Sequence, residues 1–107
     1  MNTSHLEKEV QNITQQLIAK YKPQKIILFG SAARGEFGPD SDLDFFIIKE
    51  KTPYRGVERI REVDQIIKTA LPCDFLVVKP HEVENRLQLG DPFIKTILQE
   101  GKVLYGW

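Results

Sequence analysis

Asp42 and Asp44 stand two positions apart, about a dozen residues after Gly30-Ser31. Residues two apart on a β-strand project from one face, so a strand here would aim both carboxylates the same way. Like charges held that close raise a pKa unless a cation lies between them. Mg²⁺ resolves such a conflict, because it takes carboxylates together with substrate phosphates as ligands. Upstream, Gly30 has no side chain to keep a phosphate off the backbone. The Ser31 hydroxyl and nearby N–H groups can donate to phosphate oxygens. The segment therefore reads as a metal-dependent nucleotide site. Each half alone has a plainer explanation: Ser31 as the cap of a short helix, the acids as a solvated strand start. Their combination is harder to dismiss. The acids run straight into Phe45-Phe46-Ile47-Ile48, and carboxylates at the mouth of a buried strand cost stability.

Asp74 is the third acid. It interrupts the apolar run Cys73 to Val78, where packing alone would favour Val or Ile. If that run pairs beside the Asp42–Asp44 strand, three acids form one cluster; otherwise Asp74 marks a frayed strand end. Arg34 is the only basic residue between Lys25 and Lys49, and either contacts a phosphate or pairs with a neighbouring carboxylate. Ser41 either donates to a phosphate or closes its loop, and the loop role is the favoured one. Cys73 has the opposite strand parity to Asp74 and should face the core. His5 and His81 are expected on the surface. Trp107 is either disordered or a contact residue.

These residues need a scaffold. Leu6, Val10, Ile13 and Leu17, continued by Ile18 and Tyr21, recur at helical spacing. Ser4 with Glu7 fits a capping box at the start of this helix, and Pro23 ends it. Residues 25–29 form a short apolar run closed by Gly30, a buried strand. Residues 31–35 should be a turn or short helix, and 36–40 a loop. Residues 43–48 read as a central strand. Thr52 and Pro53 suit the N-cap and first position of a second helix. Its expected buried stripe is Val57, Ile60, Val63, Ile67 and Leu71, with Pro72 as the stop. Residues 73–78 are a third strand, 80–90 a weak helix around Val83 and Leu87, and Asp91-Pro92 opens a last helix that Gly101 closes. Residues 102–105 suit an edge strand.

The 107 residues fit one domain, 1–107, with room for a modest core. Hydrophobic content of 41% and charged content of 28% are globular. Fifteen basic and 15 acidic residues cancel, which leaves no broad basic face for nucleic acid. Residues 35–45 carry Glu36, Asp40, Asp42 and Asp44 with no Lys or Arg, an acidic pole that would repel phosphate without a bridging metal. One cysteine excludes a disulfide framework. The apolar runs are too short to span a membrane, and no signal peptide is evident. A cytoplasmic location is the expectation.

Gly30-Ser31-Ala32-Ala33-Arg34-Gly35, Ser41-Asp42-Leu43-Asp44 and Asp74 together resemble the signature of the nucleotidyltransferase superfamily that includes DNA polymerase β. The short length resembles the minimal nucleotidyltransferases of prokaryotes. The resemblance implies an α/β (α+β) fold, a small mixed sheet with helices on one face and the active site on the other. It implies that Asp42 and Asp44 hold two Mg²⁺ ions, and that Asp74 completes the catalytic metal site and helps deprotonate an acceptor hydroxyl. Gly30 and Ser31 would hold the triphosphate, that of ATP, with Arg34 and Ser41 as further nucleotide contacts. Larger relatives append a domain that holds the acceptor, and this chain has no room for one. Relatives of this size are often paired with a small helical HEPN-domain toxin, with the nucleotidyltransferase as antitoxin. The implied activity is transfer of a nucleoside monophosphate to a protein hydroxyl. The alternatives are a catalytically silent antitoxin acting by contact, or a subunit of a small-molecule transferase.

Overall fold

A computed structural model describes residues 3–106, excepting the side chains of Thr3 and Ser4. The Ser4–Glu7 capping box and the role of Trp107 lie outside the described residues. The chain runs α1 (Thr3–Gln16), a π-helical turn (Leu17–Tyr21), β1 (Lys25–Phe29), β2 (Leu43–Ile48), α2 (Gly56–Ile66), β3 (Cys73–Val78), α3 (Pro80–Gln88), α4 (Pro92–Glu100) and β4 (Lys102–Tyr105). The sheet order is β3-β2-β1-β4. β1 pairs antiparallel with β2 and β4, and β2 pairs parallel with β3. This is the mixed sheet expected, with β2 inside it and β4 at one edge.

Strand periodicity sends alternate residues to two cores. On one face, Ile26, Leu28, Leu43, Phe45, Ile47, Phe75 and Val77 pack with Val10, Ile13, Leu17 and Tyr21 of the first helical segment and with Val63 and Ile67. On the other, Ile27, Phe46 and Val78 pack under Val83 of α3 and Ile94 and Ile97 of α4. Helices thus cover both faces, which corrects the one-sided arrangement the resemblance implies. The reason lies in β2 and β3 themselves. Phe46, Ile48, Leu76 and Val78 share the parity of Asp44 and Asp74, and that apolar row needs cover. α3 and α4 supply it over the far part of the face and leave the acids at one end.

The second helix departs from its expected stripe. It begins at Gly56, with Arg55 at the N-cap, and ends at Ile66. Thr52 does not cap it; its hydroxyl instead meets the Tyr21 hydroxyl at 3.3 Å. Val63 and Ile67 are buried as expected, but Val57 is 67% exposed and Ile60 40%. Leu71, beyond the helix, is only half-buried. The inward position one turn before Val63 belongs to Arg59, which is 4% exposed. Its guanidinium donates to the carbonyls of Pro53 (2.5 Å), Tyr54 (3.1 Å) and Val77 (3.1 Å), and grips both carboxylate oxygens of Glu82 at 2.7 and 3.1 Å. An arginine is tolerated there because each of these bonds replaces lost hydration. Among the described residues no helix is long and apolar enough to cross a membrane.

Candidate active site

Sheet register gathers the acids. β2 and β3 align Asp44 with Asp74 as neighbours across a parallel pair. Asp42 stands just before β2 begins at Leu43, near enough for its charge to act on Asp44. On the other side of β2, Asp44 pairs with Phe29, the last residue of β1. The next residue, Gly30, turns away with φ +74°. A Cβ at Gly30 would collide with Oδ2 of Asp44. Glycine is needed there on two counts, the left-handed backbone and the carboxylate occupying the space. Residues 30–35 then form a tight turn rather than a helix: the N–H groups of Ala33 and Arg34 both donate to the Gly30 carbonyl at 3.2 Å, and that of Glu36 donates to the Ser31 carbonyl at 2.8 Å. The Gly-Ser turn is built against the central acid.

The electrostatics of the cluster are uncompensated. Asp44 is half-buried, while Asp42 and Asp74 are exposed. Burial, first, and then the charges of Asp74 and Asp42 hold the Asp44 carboxyl above the ordinary carboxylate range; Arg34 opposes them more weakly. Arg34 itself pairs with Glu36 at 3.1 Å, both side chains well exposed, so the ion-pair role is the one observed. Cys73 faces the opposite core, as its parity requires, and burial pushes its thiol up to about 11. Ser41 closes the acidic loop: its hydroxyl oxygen accepts from the Gly38 N–H at 3.0 Å, and its own N–H donates to the Gly38 carbonyl at 3.1 Å. Accepting leaves the Ser41 O–H proton available to another acceptor. His5 and His81 are exposed.

Among the described residues, no three His, Cys, Asp or Glu side chains already stand as a metal cage. The chemistry of the donor set nevertheless fits a hard divalent cation. Three carboxylates share one strand end, two of them exposed, and the third has its ionisation opposed by the other two.

Beside the Gly30 turn lies a cavity of ≈ 290 Å³, lined by Phe29, Gly30, Arg34, Phe93, Thr96 and Glu100 among others. Phe29 and Phe93 meet edge to face, with ring centroids 5.9 Å apart. The last helix, expected from Asp91-Pro92 to Gly101, supplies one wall of this cavity. Phe93 is 50% exposed. The available signal was its position: Ile94 and Ile97 satisfy the buried face, so Phe93, one residue earlier, points off it.

Residues 10–105 match the family model described as the nucleotidyltransferase domain. The chain belongs to the nucleotidyltransferase family. It is 32% identical over 104 residues to "Putative protein adenylyltransferase MJ0604" of Methanocaldococcus jannaschii, covering 92% of this chain and 97% of that protein. A second protein of the same organism, "Putative protein adenylyltransferase MJ1305", is 32% identical over 108 residues, covering 92% of this chain and 74% of its own length. In fold, the nucleotidyltransferase resembles a crystal structure titled as a putative nucleotidyltransferase from Sulfolobus solfataricus. The TM-score is 0.53 at 19% identity, over 79% of this chain and 82% of the other. The family resemblance is therefore a true kinship, and the chain is an enzyme of nucleotidyl transfer.

Proposed function

We propose that this nucleotidyltransferase moves AMP from ATP to a protein hydroxyl, in a Mg²⁺-dependent reaction at the Gly30–Asp44–Asp74 end of the sheet. The observation that carries the reading is the stack of Asp44 between Gly30 and Asp74: a phosphate-admitting turn and an acid pair at one strand level. Asp42 and Asp44 would hold two Mg²⁺ ions, with Asp74 completing the catalytic site. A metal held there would supply charge neutralisation for the acidic pole, the phosphates and the transferring phosphoryl group. Asp74 accepts the proton of the incoming hydroxyl, Gly30 and Ser31 receive the triphosphate, and Arg34 and the Ser41 O–H reach its oxygens. The nucleoside lies in the cavity between the Gly30 turn and α4. A protein acceptor is supported by the names of the two archaeal relatives and by the neutral net charge, which supplies no footprint for nucleic acid.

A HEPN-domain toxin is the proposed acceptor and partner, and the chain its antitoxin in the cytoplasm. The test is to incubate the purified chain with the product of a neighbouring HEPN gene and ATP, with Mg²⁺ or with EDTA, and to weigh both proteins intact. A mass gain of one nucleoside monophosphate, or a small multiple, on the partner in Mg²⁺ alone is the expected result. A tight complex with unchanged masses would favour the antitoxin that acts by contact.

A further inference from the structure

Tyr54 is 91% exposed. Its ring is therefore open to a partner, and what sets it apart from other exposed side chains is the backbone beneath it. Its backbone is fixed: the buried Arg59 guanidinium holds the carbonyls of Pro53 and Tyr54 at 2.5 and 3.1 Å. Arg59 is anchored in turn by Glu82 and the Val77 carbonyl. A buried, fully engaged cation thus serves to hold a turn whose one aromatic side chain is left in solvent. From Lys51 to Gly56 that turn carries Lys51 and Arg55 and no acid, although Glu50 and Glu58 bound it. The active-site pole, Glu36, Asp40, Asp42, Asp44 and Asp74, is its opposite in sign.

Tyr54 cannot serve its own site. The Arg59 clamp ties it to the level of Val77, which pairs with Ile47, three residues up β2 from Asp44. Three residues of strand separate the levels by about 10 Å, and the side chain leads outward from there.

We propose that Tyr54 is a nucleotidylation acceptor for a second copy of this chain. The inference rests on the proposed transfer to protein hydroxyls. The basic Lys51–Gly56 turn of one copy enters the acidic pole of another, whose bound nucleoside triphosphate is the donor. The Tyr54 Oη forms a bond to the α-phosphorus, and the bond from the α-phosphorus to the bridging oxygen of the β-phosphate breaks. Pyrophosphate leaves, and the phenolic proton passes to the second copy's Asp74 and on to water. A pre-fixed turn suits this step, since little ordering is needed to hold the hydroxyl in line.

The experiment mixes two full-length chains of distinguishable mass, Asp44→Asn (acceptor intact) and Tyr54→Phe (site intact), with ATP and Mg²⁺. The expected result is a gain of one nucleoside monophosphate on the Asp44→Asn chain alone, mapped to Tyr54 by peptide mass. Charge reversal of Lys51 and Arg55 to Glu on the acceptor chain should slow the labelling, as should added salt. Labelling of the Tyr54→Phe chain, labelling elsewhere on the Asp44→Asn chain, or a rate indifferent to charge reversal would overturn the proposal. If wild-type protein labels a HEPN partner while neither mixed chain gains mass, the proposal alone falls. If no protein gains mass, the protein-acceptor reading falls with it.

Discussion

The two ends of the β2–β3 pair carry opposite solutions to the same problem. Both place charge beside a buried parallel pair. At the starting end, Asp42, Asp44 and Asp74 crowd together, and Asp44 is held above the ordinary carboxylate range by burial and by its acid neighbours. Toward the finishing end, Arg59 is almost wholly buried, but its charge meets Glu82, whose carboxyl falls to about 2, chiefly through the Arg59 hydrogen bond. One cluster is frustrated and the other satisfied. A folded chain keeps uncompensated charge where something else gains from it, so the contrast favours the acid end as the proposed working site and the Arg59 end as the one that holds.

The largest effect should come from the frustrated end. Asp44→Asn should lower nucleotidyl transfer on the order of 100-fold or more, the scale of losing a charged metal ligand. The fold should not suffer. The Asp44 carboxyl is raised in the native state, so the native state binds the proton longer than the unfolded chain. Stability is therefore greatest with Asp44 protonated and declines as pH rises through its folded pKa. Asparagine removes that decline, so the melting temperature at neutral pH should hold or rise. Thermal melts followed from acid pH up to neutral, read beside transfer rates, check both halves. An active but unstable Asp44→Asn would reverse the roles given to the two ends.

The satisfied end should respond in the other currency. Glu82→Ala leaves the Arg59 guanidinium, 4% exposed, without its counter-charge, and should cost about 3 kcal/mol, the low end for a buried pair because Glu82 is partly exposed. In a domain of this size that is roughly a 10 °C fall in melting temperature. The pH signature is also opposite. A carboxyl lowered from 4.5 to about 2 contributes stability that is fully present above its unfolded pKa and lost as pH falls through that interval. Wild-type protein should therefore lose stability between about pH 5 and 2 more steeply than Glu82→Ala. Parallel acid-unfolding curves for the two proteins would remove Arg59–Glu82 from the account of how the fold is held.

The same contrast explains what could be read from the residues alone. The frustrated end was legible because it breaks local rules: acids at the mouth of Phe45-Phe46-Ile47-Ile48, an acid inside Cys73–Val78, glycine where a strand stops. The strands themselves followed from apolar runs bounded by Gly and Pro, and β1, β2 and β3 have the expected limits. The satisfied end was hidden. Arg59 is one charge among several on α2, and Val57 and Ile60 completed a plausible stripe. Nothing local reveals that a guanidinium takes the inward position, because its partners are carbonyls of Pro53, Tyr54 and Val77 and a carboxylate 23 residues away. Helices on both faces were likewise a tertiary outcome. Phe46 and Val78 demanded a second cover, but periodicity alone does not say which helix provides it.

The smallest expected effect lies at the edge of the acid end, at the α4 wall beside Gly30. If the nucleoside rests in the cavity lined by Phe29, Phe93, Thr96 and Glu100, the Phe93 ring is one side of its seat. Truncation to alanine removes an aromatic contact worth about 0.5–1.5 kcal/mol, so Phe93→Ala should raise the KM for ATP by roughly two- to tenfold. The turnover number should change little, because the ring touches a part of the substrate that does not react and so binds ground and transition states alike. Stability should change little too: Phe93 is half-exposed, and the buried contacts of α4 belong to Ile94 and Ile97. Steady-state kinetics over a range of ATP concentrations separate the cases. A loss of kcat with KM unchanged would place the ring on the reaction path, and no change in either would move the nucleoside out of this cavity.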